Sequence, residues 1–426
     1  MFLHAVSAVH PAQLIRSNIS VRNNSIFISG NEYVLPADGK IYVIGAGKAA
    51  AAMALETEKI LTPHYPLQGF VVTKYGHTLP LAHIGLLEAG HPVPDENSVS
   101  AAVRLTEIAQ QAQSNDLVIF LLSGGASALV ADFPPGSSLE EVQQLFTLLL
   151  RSGADIGEMN TVRKHLSGFK GGQLAEKVYP ATLYTLILSD VVGDDLSVIG
   201  SGPTVPDPST FADTLNILRK YHLTEKIPGT LLQYILDGVD GKIPDTPKPG
   251  SSHTTHVHNH LAGTNLIALQ AAAEKAAQLG YHPQILSAAT TGDAHTIAEM
   301  LVSKALTYTD LWPGCLLLGG ETTVNVTGDG LGGRNQQLAL AAGIALAGHK
   351  GITILSGGTD GTDGPTDAAG AIADANVMEH AAKLHINANY FLHNNDAYHF
   401  FSKAGGLLVT GPTQTNVMDL MIVLIA

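Results

Sequence analysis

Short apolar runs that close on glycine-rich turns, each followed by a stretch of helical composition, constrain this fold more than any other feature. They are IYVIGAGKAA (41–50), LVIFLLSGGASALV (117–130), TLYTLILSDVVG (182–193), HLAGTN (260–265), CLLLGGETT (315–323) and GITILSGGTDG (351–361). Runs of Val, Ile and Leu without polar alternation predict strands buried on both faces, as in a parallel sheet covered by helices. The expected class is therefore α/β, doubly wound. Between the runs, LIALQAAAEKAAQLG (266–280) predicts an Ala-rich helix capped by Asn265 and stopped at Gly280.

A chain of 426 residues exceeds what one core supports, so two domains are expected. The segment 237–252, DGVDGKIPDTPKPGSS, lacks apolar periodicity and reads as the linker, giving domains at 1–240 and 253–426. With 45% hydrophobic and 14% charged residues the chain is globular rather than disordered. A net charge of −14 without any run of Lys or Arg excludes a nucleic-acid partner. Cys315 is the only cysteine, which excludes an intrachain disulfide and fits a small buried strand residue in a reducing compartment. No apolar run approaches the roughly 18 residues of a membrane span, and no signal segment precedes the first run, so a cytoplasmic protein is expected.

Several loops carry groups suited to anions. In Gly45-Ala46-Gly47-Lys48 a tight turn aims backbone N–H groups and a full charge at one point; a dinucleotide fingerprint would also want an acid about 20 residues on, and none is clear. Ser123-Gly124-Gly125-Ala126 forms a comparable nest. Asn160, Arg163 and Lys164 concentrate cations in a chain poor in them, with Asn160 and Lys164 on one helical face and Arg163 and Ser167 on another. Asp190 ends a strand, where open α/β sheets bind ligands, and Ser201 and Gly202 follow in a second glycine turn. Glu321 and the pair Arg334-Asn335 flank a hairpin-like unit, with Arg334 opening an Ala-rich helix. Finally, Thr359, Asp360, Asp363 and Asp367 lie in one glycine-laced loop whose carboxylates would repel without a cation, and such hard oxygens suit Mg²⁺ carried on phosphates. The histidines at 253, 256, 258 and 260 lack acidic or thiolate partners and read as an adventitious cluster.

In this order the motifs GAGKAA (45–50), LLSGGASAL (121–129), NTVRKHLSGFKGGQLA (160–175), LILSDVVGD (186–194), VIGSGPTVPDPST (198–210), LGGETTV (318–324), GGRNQQLAL (332–340), LSGGTDGTDGPTDAAGA (355–371) and TGPTQTNVMDL (410–420) resemble the glycerate 2-kinase family of the MOFRL type. The resemblance spans nearly the whole chain. It implies a Rossmann-like parallel-sheet N-terminal domain and a smaller α/β C-terminal domain with the active site in the cleft between them. It also implies ATP-dependent, Mg²⁺-assisted phosphorylation of the 2-hydroxyl of D-glycerate, leaving a homodimer open. Members have been labelled hydroxypyruvate reductases, so an NAD(P)H-dependent reductase is the alternative. Lys48 and Arg334 match residues the family places in that cleft, and Asp190 matches a third polar position there; these three are the expected catalytic residues. Gly45, Gly47, Ser123, Gly124, Gly125, Ala126, Asn160, Arg163, Lys164, Ser201, Gly202, Glu321, Asn335 and Thr359 are the expected nucleotide- or substrate-binding residues. Asp360 and Asp363 are the expected metal ligands.

Overall fold

The computed structural model describes residues 1–346 and 348–426 and divides into two compact units. One comprises Leu14–Leu188 and Asp195–Ala262; the other comprises Met1–Gln13, Ser189–Asp194 and Gly263–Ala426.

In the first unit the apolar runs form β1 (Ile41–Ala46), β2 (Leu67–Lys74), β3 (Ile84–Ala89), β4 (Leu117–Ser123), β5 (Thr182–Leu188) and β6 (Val257–Gly263), joined in the order β3-β2-β1-β4-β5-β6. The β1–β2, β2–β3, β1–β4 and β4–β5 pairs are parallel. β1 and β4 are buried at every position, as expected of central strands with helices on both faces. This is the doubly wound dinucleotide-binding order, and its strand order reverses between β1 and β4. Helix α1 (Ala50–Leu61) follows β1, and α2 (Glu96–Gln111) follows β3 behind a capping box in which Asp95 and Ser98 exchange bonds. Further along, α3 (Ala126–Leu129) follows β4, and α4 (Ile156–His165) packs into an apolar helical cluster around Leu145, Phe211 and Leu231.

The second unit carries α5 (Asn265–Gln278) and a mixed sheet of β7 (His282–Asp293), β8 (Gly314–Thr323), β9 (Ile352–Gly358), β10 (Gly370–Asp374), β11 (Leu407–Leu408) and β12 (Asp419–Ile425). Their order is β7-β8-β12-β9-β10-β11. Only the β7–β8 pair is parallel among the described residues; β12 runs antiparallel to both β8 and β9. Continuous apolar runs thus did not imply parallel pairing here. Leu316, Leu318, Met421 and Val423 are buried because Leu338 and Leu340 of α6 (Arg334–Ala345) and other helical residues cover them, whatever the strand direction.

The first unit runs on to Ala262, with β6 continuing its sheet past His256, whose carbonyl accepts from Leu183 N–H, and Met1–Gln13 groups with the second unit. There, Val9 carbonyl accepts from Thr415 Oγ1 at 2.6 Å. Two local expectations change. Past the end of β8 at Thr323, residues 324–333 form an irregular loop rather than a hairpin. Thr264 caps α5, and Asn265 instead donates Nδ2 to the carbonyls of Val417 and Asp419, at 2.8 and 2.9 Å. Among the described residues no helix is long and apolar enough to cross a membrane.

Candidate functional site

At the carboxyl ends of β1 and β4, two glycine turns press against each other. Lys48 N–H donates to Gly124 carbonyl at 3.0 Å, and Ala49 N–H donates to Ser123 Oγ at 3.0 Å. Gly47 adopts φ +132°, and a Cβ there would overlap the Ser123 hydroxyl and carbonyl, so this position admits only glycine. Gly45, Gly47, Ser123, Gly124, Gly125 and Ala126 are therefore one interlocked feature at the point where the strand order reverses, which is where open α/β sheets bind ligands. Helix α1 starts there with no acidic residue in its first turn, leaving its positive end uncompensated.

The half-buried Lys48 side chain extends from this turn beside the His91 ring. Burial, and then the charges of Lys48, Lys74 and His77, lower the His91 pKa to about 4, so its imidazole is neutral at neutral pH.

A second group joins α3, α4 and the turn Ile199–Ser201. Ser127 Oγ lies 2.9 Å from Ser201 Oγ, which donates to Asn160 Oδ1 at 3.0 Å. Arg163 Nη1 donates to the same oxygen at 2.7 Å, and its guanidinium lies 4.8 Å from the centre of the Phe146 ring. Because Arg can only donate, the Asn160 amide orientation is fixed, and its buried Nδ2 has no partner. Ser201 adopts φ +62° between Gly200 and Gly202, which turns its hydroxyl into this group. Lys164 is not part of it: the side chain is buried against Asp207 at 3.4 Å. Ser167 lies beyond the end of α4 at His165 and donates to Asp132 at 2.5 Å, so the helical spacing that would pair it with Arg163 does not apply.

In the second unit, Arg334 opens α6 and is held by two carboxylates. Its Nε and Nη2 donate to Asp419 at 2.6 and 3.0 Å, and Nη1 meets Glu321 at 2.9 Å. Burial alone would lower the Arg334 pKa, but the hydrogen bonds and charge of Asp419 raise it above the ordinary arginine value. Asn335 ties the group together by donating Nδ2 to Asp419 at 2.9 Å and accepting from Ser356 Oγ at 2.6 Å. Asp190 lies half-buried just beyond β5, next to Ser189, whose N–H donates to Gly263 carbonyl at 2.8 Å.

The acidic loop separates rather than converging. Asp363 is buried against the start of α6 and accepts from Asn335 N–H at 3.1 Å and Gln336 N–H at 2.8 Å. Burial pushes its carboxyl up to about 6. Asp360 accepts from its own Thr362 N–H, and Asp367 accepts from Tyr398 at 2.8 Å. Thr359 is buried, donating to Met418 carbonyl and accepting from Val417 N–H. Among the described residues no three His, Cys, Asp or Glu side chains gather as a metal cage. Asp360 and Asp363 together therefore do not fit a magnesium site, because both Asp363 oxygens serve the helix N-terminus.

Sequence reasoning missed Asp419 and His91. Asp419 was visible only as the acid within NVMDL that opens an apolar strand; His91 was visible only as a histidine before Pro92 just past β3.

A relative named D-glycerate 2-kinase from Thermotoga maritima is 44% identical over 91% of both chains. The chain belongs to the MOFRL-type glycerate 2-kinase family. A family model described as a domain of unknown function (DUF4147) matches residues 1–236, and the MOFRL family model matches 314–419. A glycerate 2-kinase from Pyrococcus horikoshii is 40% identical over 99% of this chain and 95% of its own length. A crystal structure from Pyrococcus horikoshii superposes with TM-score 0.90 at 39% identity, covering 99% of this chain and 96% of that one. The crystal structure of the Thermotoga maritima glycerate kinase superposes with TM-score 0.89 at 40% identity, covering 100% and 97%. In this glycerate 2-kinase family member, Lys48 stands where the Gly45–Lys48 and Ser123–Ala126 turns meet, and Arg334 stands between Asp419 and Glu321.

Proposed function

We propose that this chain transfers a phosphoryl group from ATP to the 2-hydroxyl of D-glycerate, giving 2-phosphoglycerate. Kinship with glycerate 2-kinases along nearly the whole chain is the observation that carries this reading. In phosphoryl transfer the protein mainly aligns the reactants and neutralises charge on the moving group. Lys48 and Arg334 supply that positive charge. The Gly45–Lys48 and Ser123–Ala126 turns hold phosphate oxygens, and the Asn160–Arg163–Ser201 group holds substrate oxygens. Asp190 accepts the proton of the 2-hydroxyl as the new O–P bond forms, and the β-phosphate oxygen leaves with the electron pair of the broken bond. Magnesium would be carried on the donor's own phosphates rather than held by Asp360 and Asp363, and would neutralise charge there.

The reductase alternative is disfavoured by a specific position. Dinucleotide-binding sheets place an acid near the end of their second strand to hold the ribose, whereas β2 ends at Lys74. A coupled assay of glycerate-dependent ADP release, run beside hydroxypyruvate-dependent NADH and NADPH oxidation, tests the reading. ADP release without nicotinamide oxidation is expected, and the reverse pattern refutes it.

A further inference from the structure

The segment carrying His91 has no role in the reaction described above, yet its side chain lies against Lys48 and Gly125. A Cβ placed on Gly125 would stand 2.9 Å from His91 Cδ2, 3.0 Å from His91 Nε2 and 3.4 Å from Lys48 Cε. The imidazole edge, the lysine stem and the left-handed Gly125 backbone (φ +86°) thus converge within a side chain's width. The strands bring further positive charge to the same end of the sheet. Lys74 is the last residue of β2 and pairs in register with Ala89, two residues before His91. His77 Nδ1 lies 3.3 Å from Lys48 carbonyl oxygen, so the turn after β2 is tied to the Lys48 turn.

The titratable groups acting on the His91 ring are Lys48, Lys74 and His77. The β4–α3 turn that faces the ring, Ser123 to Ala126, contributes only hydroxyl, backbone and methyl groups. Glu88 and Asp95 lie nearby but accept from the backbone at Gly76 and Gly90, so the lysine charges are the ones that act on the half-buried ring, and an anion with several oxygens offsets them. A neutral imidazole suits such a site, since it gives one N–H donor without adding repulsion between the two lysines.

We propose that His91 and Lys74, with Lys48, form the seat for the polyphosphate chain of the phosphoryl donor, His91 donating its ring N–H to a phosphate oxygen. This rests on the kinase reading for the identity of the donor, but not for the chemistry of the seat, which is that of a multiply charged phosphate chain.

The test is calorimetric titration of the full chain with inorganic tripolyphosphate, without metal, and separately with D-glycerate. His91→Ala and Lys74→Met are each expected to weaken tripolyphosphate binding about tenfold, the loss of one charge-assisted contact. His91→Gln, which keeps an N–H donor, should retain most of the affinity. D-glycerate binding should be unchanged in all three variants. Unfolding midpoints within a degree or two of the parent show that each variant folds. Tripolyphosphate binding that is absent from the parent chain, or equal in parent and His91→Ala, overturns the proposal, as does a loss confined to D-glycerate. Should His91-dependent tripolyphosphate binding hold while the chain phosphorylates no glycerate, the proposed function fails and the seat stands.

Discussion

Asp419, fully buried at the first position of β12, accepts two hydrogen bonds from the Arg334 guanidinium, at 2.6 and 3.0 Å. The pair joins the first residue of a strand to the first turn of α6, and it fixes the direction of the Arg334 guanidinium, the cation we propose acts on the phosphoryl group. A bidentate pair of this kind sets the plane of the guanidinium as well as its position. Replacing Asp419 by Asn keeps the shape and removes the charge. We expect Asp419→Asn to cost about 2–4 kcal/mol of stability, in the lower part of the range for a broken buried pair because Arg334 is partly exposed. It should also lower kcat more than it raises KM for the nucleotide. Denaturant unfolding and steady-state kinetics check both, and an unchanged kcat would separate Asp419 from the reaction.

Arg334→Ala removes the cation itself. Loss of a preorganised charge that acts on the transition state should lower kcat by about a hundredfold or more, with a much smaller change in nucleotide affinity. Rapid-quench measurement of the transfer step, beside equilibrium nucleotide binding, distinguishes this from a binding defect.

Gly47→Ala should disrupt the contact between the Lys48 and Ser123 turns. An added methyl meets both the Ser123 hydroxyl and its carbonyl, in a backbone conformation that disfavours side chains. A loss of about 1–3 kcal/mol is expected, as for other overpacked sites. Combining it with Ser123→Ala should restore little, because the carbonyl obstruction remains; full recovery in the double variant would show that only the hydroxyl mattered.

Asp363 makes stability depend on pH. Its carboxyl keeps its proton to about pH 6 in the folded chain, against an ordinary value of 3.8. The folded state therefore binds more protons than the unfolded state between those values, and the contribution of this residue is lost as pH rises through about 6. Asp363→Asn should show a flatter decline in stability than the parent across that window, and thermal unfolding at half-unit pH steps reads it. Parallel curves for the two proteins would contradict the burial argument.

The apolar runs that announced the first sheet were legible because central parallel strands are apolar at every position, and β1 and β4 meet that condition fully. The same logic misread strand direction in the second sheet, since burial on both faces depends on covering helices and not on how β12 runs between β8 and β9. Glycine turns marked Lys48 and Arg334 because close backbone approach demands glycine, as at Gly47. The acidic loop misled because density of carboxylates in sequence says nothing of where each one points. Asp363 turned inward to the helix start, while Asp360 and Asp367 found separate partners. Asp419 had no local signature at all, since its meaning comes from Arg334, 85 residues away.

The central claim is the site of phosphorylation. Incubating the protein with ATP, Mg²⁺ and D-glycerate and identifying the product by phosphorus and proton NMR tests it most directly. The account predicts 2-phosphoglycerate; 3-phosphoglycerate, or no phosphorylated glycerate at all, would contradict it.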